Sequence, residues 1–466
     1  MPAASIYLPG VQQASVADWQ TRWHAHAPTV ALVFYKAHLQ AANTAVFDAL
    51  IDALLAAGLN PLPLAVTSLK DAISQQVKRQ LCNEQNVALV LNTTAFAAGA
   101  LQTGPGHDDP APLDLFGDAP VLQVILSGSN REAWQTDNHG LNSRDIAMHV
   151  ALPEVDGRII TRAISFKGLA YHCPHTQVDV VQYQPDLERI DFVVALAQRW
   201  CRLRTQPNAE KKLALILANY PMSEGRIGNG VGLDTPASAL GVLQMLADQG
   251  YQIGDLPRDG DALIAQLTQG VTNDPDTRAL RPALQSYALS DYLAQLALLP
   301  PEIKAAIDAR WGEPHADPSL RQNACDCRLA LRACVCRHPA VAFPGRGRLR
   351  QLPRCRAGAA ACLSAFYFWL RQHWQIDAVI HLGKHGNLEW LPGKSVALSP
   401  VCWPDLILGP LPHLYPFIVN DPGEGCQAKR RAQAVIIDHL MPPLTRAENY
   451  GPLQDLERQV DEYYEA

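Results

Sequence analysis

The strongest constraint on the fold lies near the N-terminus, where the hydrophobic period changes twice in quick succession. "PTVALVFYKA" (28–37) is an apolar, β-branched run of strand length. Behind Thr44, the residues Val46, Phe47, Leu50, Ile51, Leu54 and Leu55 recur at helical spacing and stop at Gly58, and "NPLPLAV" (60–66) is a second strand-like run. Two strands without a polar face, joined by an amphipathic helix, make a βαβ unit, and such strands belong in a parallel sheet covered on both sides. Further runs at Val87–Asn92 and Val121–Ser127 each lead into helix-like sequence. The expected class is α/β, multidomain, with mainly parallel sheets and covering helices.

A chain of 466 residues exceeds one ordinary core. Two domains are expected, 1–204 and 205–466, separated by the polar "RTQPNAEKK" (204–212), after which "LALILANYP" starts a new strand. With 39 basic against 45 acidic residues, charge does not favour nucleic acid, and no apolar run is long enough for a bilayer. The start, "MPAASIYLPGVQQASVADW", lacks a basic region followed by an apolar one, so cytoplasm and reduced thiols are expected.

Three stretches carry chemistry, all in the second domain. In "NYPMSEGRIGNGVGLDTPAS" (219–238) a strand leads through Gly225, Gly228, Gly230 and Gly232 into a helix with Asp234 as cap and Pro236 in its first turn. A dinucleotide site fits poorly, because Leu233 stands where the third glycine is required; a loop that is glycine-rich for packing is the other reading. In "VIHLGKHGNLEWLPGKS" (379–395) His381, Lys384, His385 and Glu389 sit in and after a buried strand, in a segment too rich in glycine for a helix. The carboxyl end of such a strand is where open α/β sheets place ligands. The closing Gly-Lys-Ser is no phosphate loop, since six residues rather than four separate Gly386 from Gly393, so ATP binding by this chain is rejected. In "YPFIVNDPGEGCQAKRRAQAVIIDHLMPP" (415–443) a strand and turn precede a helix expected to carry Gln427, Lys429, Arg430 and Arg431 in its early turns. Cations there oppose the helix dipole, which points either to an anionic partner or to a solvated charged face.

Together these stretches resemble the cobaltochelatase large subunit, CobN, as do "LVFYKAHLQAANTAVFDALIDALLAAGLNPLPL" and "DIAMHVALPEVDGRIITRAISFKG". The related magnesium chelatase H subunit has a loop more like Gly-Ser-Leu-Glu-Phe, whereas Asn387 and Trp390 side with the cobalt enzyme. The resemblance implies ATP-dependent insertion of cobalt(II), the substrate metal, into the corrin hydrogenobyrinic acid a,c-diamide during aerobic cobalamin synthesis. It also implies that ATP is hydrolysed by AAA+ partner subunits. Removing protons from ring nitrogens and water from the metal suits imidazole and carboxylate. His385 and Glu389 are therefore the expected catalytic residues, and His381, His385 and Glu389 the expected metal ligands. Lys429, Arg430 and Arg431 would meet acidic substituents of the macrocycle. Asn219, Arg226, Asn229, Asp234, Asn387, Lys394, Asn420, Asp421 and Gln427 complete the expected substrate-binding set. Two other readings are a non-catalytic corrin- or partner-binding remnant and a magnesium chelatase H-type subunit.

The resemblance also implies that the chain is an internal fragment, cut in mid-helix at "LQDLERQVDEYYEA" (453–466). It lapses between about 324 and 363. Residues 325–362 hold six of the 11 cysteines, eight arginines and one aspartate. Arg337–Ala340 reads Arg-His-Pro-Ala, which a string such as CGGCATCCAGCC would encode; one base later that string begins Gly-Ile-Gln-Pro, like the family's own segment. Two compensating frameshifts fit, and this stretch is expected to pack poorly. Zinc at Cys325, Cys327, Cys334 and Cys336 is disfavoured, because C-x-C pairs are tighter than the usual knuckle and no hairpin or helix is evident to hold them.

Overall fold

The computed structural model describes residues 3–99, 115–217, 229–230, 233–270, 280, 282, 285–314, 320–321, 324–327, 330–331, 334–335, 361–383, 386–419, 421–439 and 452–465. The chain forms two compact units. The first is Met1–Thr205 with Gly393–Pro400 and Lys429–Gln433; the second is Gln206–Pro392 with Val401–Ala428 and Ala434–Ala466.

An eight-stranded sheet underlies the first unit: β1 (Ala4–Leu8), β2 (Val11–Ala14), β3 (Thr29–Tyr35), β4 (Asn60–Val66), β5 (Val87–Asn92), β6 (Val121–Leu126), β7 (Ile159–Cys173) and β8 (Val178–Pro185), in the order β2-β1-β4-β3-β5-β6-β7-β8. The five central strands run parallel, with β3 paired to β4 from Thr29↔Asn60 to Tyr35↔Val66. Antiparallel β1, β2 and β8 finish the edges. Val30–Phe34 is wholly buried, as a strand covered on both faces must be. The helix Ala45–Ala56 buries Val46, Phe47, Leu50, Ile51 and Leu54, each worth about 1.5–3 kcal/mol.

Two short segments from late in the sequence complete this unit. Val396 and Ala397 share a core with Trp134, Val150 and Phe166. The Trp134 indole Nε1 donates to the Ala397 carbonyl at 2.8 Å, Arg189 to the Leu398 carbonyl at 3.0 Å, and Arg162 to Gln433 Oε1 at 2.7 Å. The helix Leu187–Thr205 closes the N-terminal stretch of this unit; the returning segments were not foreseen, because a few apolar residues show no period.

The second unit holds a six-stranded sheet of β9 (Leu213–Leu217), β10 (Ala330–Leu331), β11 (Cys334–Val335), β12 (Ala378–Leu382), β13 (His413–Ile418) and β14 (Ala434–His439), in the order β10-β11-β9-β12-β13-β14. All neighbours are parallel except β10 and β11. A small antiparallel sheet pairs Ala324–Cys327 with Gln285–Ala288 and Leu320–Arg321. Asp234 caps the helix Thr235–Asp248 by accepting from the Ala237 amide at 3.0 Å, with Pro236 in the first turn. Of the arginine-rich stretch, 336–360 lies outside the described residues. Before it, the hairpin β10–β11 corrects the expectation of none, since two-residue strands are too short to show alternation. Among the described residues no helix is long and apolar enough to cross a membrane.

Candidate active site

Strands β12 and β13 lie side by side, and the chain beyond their carboxyl ends brings two carboxyl groups together. "AVIHL" is buried throughout, and after Gly386 a single helical turn, Leu388–Trp390, carries Glu389. From the end of β13, Pro422 starts the helix Pro422–Arg431, which places Glu424 in its first turn. Glu389 is fully buried and Glu424 is 3% exposed. The two are hydrogen-bonded to each other, while Tyr415 on β13 directs its hydroxyl toward Glu389 Oε1 at 3.4 Å and the Gly386 amide donates to Glu424 Oε1 at 3.2 Å. Burial, and then the neighbouring Glu424 charge, push Glu389 up to about 8. Two carboxyl groups in one dry site cannot both ionise readily, so near neutral pH the pair holds a proton.

A second polar group adjoins the first through Tyr415. The His381 ring meets those of His413 and Tyr415 edge-on, with centroids 4.7 and 6.2 Å apart, and the Tyr367 hydroxyl lies 2.8 Å from His381 Nε2. All four rings are buried. Burial holds the Tyr367 and Tyr415 hydroxyls well above the usual phenol range, so they stay protonated and act as neutral donors.

The expected site residues fall into two groups. His381, Asn387, Glu389, Asp421, Gln427 and Asp234 belong to the second unit, where His381 and Glu389 meet through Tyr415. Lys394, Lys429, Arg430 and Arg431 belong to the first unit. There the Lys394 ammonium donates to the Gln135 and Asp137 carbonyls at 3.1 and 2.6 Å. Arg430 forms a two-pronged ion pair with Glu154 at 3.0 and 2.8 Å, and Arg431 Nε donates to the Lys394 carbonyl at 2.9 Å. The expectation that these cations open a helix is corrected. The helix begins at Pro422 and ends at Arg431, so they occupy its last turn, where positive charge complements the dipole.

Asn219, Arg226, Lys384, His385 and Asn420 lie outside the described residues, and Asn229 is described by its backbone alone. Among the described residues no three of His, Cys, Asp and Glu are arranged to hold a metal. Cys325 and Cys327 lie on the strand Ala324–Cys327, Cys334 on β11, and Cys336 outside the described residues. Sequence reasoning missed Glu424, Tyr415 and His413. The last two had a signal: His413, Tyr415 and Phe417 alternate along one strand, so polar rings share a face with an apolar one.

The description CobN/Magnesium Chelatase matches residues 1–466. The chain belongs to the CobN/magnesium chelatase family. The aerobic cobaltochelatase subunit CobN of Pseudomonas aeruginosa is 52% identical over 473 residues, covering 100% of this chain and 37% of that protein. CobN of a Sinorhizobium species is 45% identical over 489 residues, covering 99% and 36%. Among solved structures, the catalytic subunit of cobaltochelatase from Mycobacterium tuberculosis superposes with a TM-score of 0.77 at 35% identity, over 100% of this chain and 38% of that one. The chain thus spans a little over a third of the length of these relatives.

Proposed function

We propose that this chain is the part of a cobaltochelatase large subunit that takes protons from the tetrapyrrole as cobalt(II) enters it. The observation that carries the reading is the buried Glu389–Glu424 pair beside Tyr415, at the carboxyl ends of two adjacent parallel strands. Metal insertion displaces protons from inner ring nitrogens, and a pair that holds one proton has one carboxylate left to receive another. Tyr415 and the Gly386 amide, both donors, stabilise whichever oxygen carries the charge. His381 stands one ring away and, with His385, is the natural imidazole to meet the incoming metal. Cobalt and a corrin are favoured over magnesium and a porphyrin by Asn387 and Trp390 and by the names of the relatives above. In this reading the chain binds no ATP; AAA+ partner subunits supply hydrolysis, and the work is cytoplasmic.

The test is Glu389→Gln in the full-length subunit, assembled with its partner subunits, ATP, cobalt and the corrin. Insertion is followed by the corrin's absorbance and corrin binding by fluorescence quenching. We expect binding to persist and insertion to fall by about 100-fold or more. Full insertion by the variant would remove Glu389 from the chemistry. Binding without insertion by the unmodified subunit would select the non-catalytic remnant, and preference for protoporphyrin with magnesium would select the other metal.

A further inference from the structure

The first unit contains a cavity of about 250 Å³ that is distinct in composition from the carboxyl pair. It opens where the chain leaves the carboxyl ends of β5 and β6, the ligand-binding end of a parallel sheet. Phe96 and Met148 give it an apolar wall; Arg144, Lys167, His149 and Tyr183 supply the polar side.

Several features show that this wall is held in place. Phe96 has φ +66, a conformation rare for an aromatic residue. It is held there by the Phe96 amide donating to the Met148 carbonyl at 3.0 Å, and by buried Arg158 donating to the Phe96 carbonyl at 3.0 Å. Arg158 is itself anchored by a short ion pair with Asp156. His149 lies in a π-helical turn, Ala147–Ala151, a distortion that gathers at functional sites. Its Nδ1 is buried and has no hydrogen-bond partner among the described residues, and burial lowers its basicity, so the ring is neutral near pH 7. Asp145 is satisfied within the wall by Ser127 Oγ at 3.0 Å, the Gly128 amide at 2.7 Å and Asn142 at 3.1 Å. Arg144 and Lys167 form no ion pair among the described residues, although Lys167 sits over the Tyr183 ring at 5.8 Å.

We infer that this cavity binds a small planar organic anion, a carboxylate or a phosphate ester, with the charged group against Arg144 and Lys167 and the ring against Phe96 and Met148. Arg144 and Lys167 outnumber Asp145, the one carboxylate in the lining, which favours an anion, and the neutral imidazole supplies a further hydrogen bond. The cavity falls below the roughly 300–1,000 Å³ usual for larger ligands, so a single ring fits and a macrocycle does not. This inference is independent of the carboxyl pair and of any chelatase reaction.

Benzoate and phenyl phosphate, titrated separately into the full chain by calorimetry, test it. We expect saturable binding of at least one, with a shift of the His149 imidazole nitrogen resonances. Whichever probe binds more tightly identifies the charged group. Arg144→Gln and Lys167→Gln are surface replacements whose folding is checked by circular dichroism; each should weaken binding by about tenfold. Absence of saturable binding by either probe, or affinities unchanged in both variants, would overturn the inference.

Discussion

Gly386 stands so close to Glu389 that it cannot bear a side chain: a Cβ built on Gly386 would lie 2.4 Å from Glu389 Oε1 and 2.8 Å from the Tyr415 hydroxyl. A glycine here lets backbone and carboxyl pair share one small space.

Gly386→Ala should therefore separate the pair while leaving every ionisable group in the sequence. We expect a loss of about 1–3 kcal/mol in stability from overpacking. Cobalt insertion should fall nearly as far as in Glu389→Gln, because the methyl group occupies the space of the carboxyl oxygens. Denaturant unfolding and the insertion assay measure the two effects. Full activity would mean that the close packing has no bearing on the chemistry.

The pair also predicts a pH dependence of stability. Glu389 rises from its ordinary 4.5 to about 8 in the folded chain, so between those values the native state holds a proton that the unfolded chain has released. Stability should fall with rising pH across that window, by about 1.4 kcal/mol per unit for one proton, and level off above pH 8. Glu389→Gln removes this slope. Unfolding midpoints from pH 5 to 9 for both proteins give the difference, and parallel curves would refute the raised acid.

Arg430 and Glu154 test whether the cations of the Pro422–Arg431 helix serve the fold. Glu154 is 9% exposed and Arg430 30%, and the contact is two-pronged. Each single replacement by alanine should destabilise the first unit. The double replacement should cost less than the sum by about 1–2 kcal/mol. Additive losses would free Arg430 for the anionic contact that the sequence first suggested.

Gly140→Ala probes the returning segment 393–400. Gly140 has φ +86, and a Cβ there would lie 2.0 Å from the Val396 carbonyl oxygen. Both strain and collision act, so a loss of about 2–4 kcal/mol is expected. Thermal unfolding checks it; an unchanged transition would mean that Val396 packs elsewhere in solution.

What was legible in the sequence follows from how local the responsible forces are. β3, β4, β5 and β6 declared themselves because a strand covered on both faces is a nearly continuous apolar run, and the helix Ala45–Ala56 because its stripe repeats within twelve residues. The β7–β8 hairpin was hidden: its far half is exposed at Leu169, Tyr171, Val178 and Val181, so burial does not impose alternation there. Glu389 stood out as an acid in a glycine-rich apolar loop. Glu424 did not, because an acid in a helix's first turn is ordinary, and only the tertiary fold brings it beside Glu389. The hydrogen bonds of Lys394 and Arg431 to backbone carbonyl groups were hidden, because the fold and not the local sequence supplies those acceptors.

The route of the chain through the first unit also bears on synthesis. A ribosome releases Met1–Thr205 well before Gly393–Pro400 and Lys429–Gln433, yet the Trp134 indole donates to the Ala397 carbonyl and the Arg162 guanidinium to Gln433 Oε1, both in those late segments. The eight-stranded sheet can therefore begin to assemble early, while the core around Trp134 must wait for Val396 and Ala397. During translation this unit stays incompletely closed until those segments emerge.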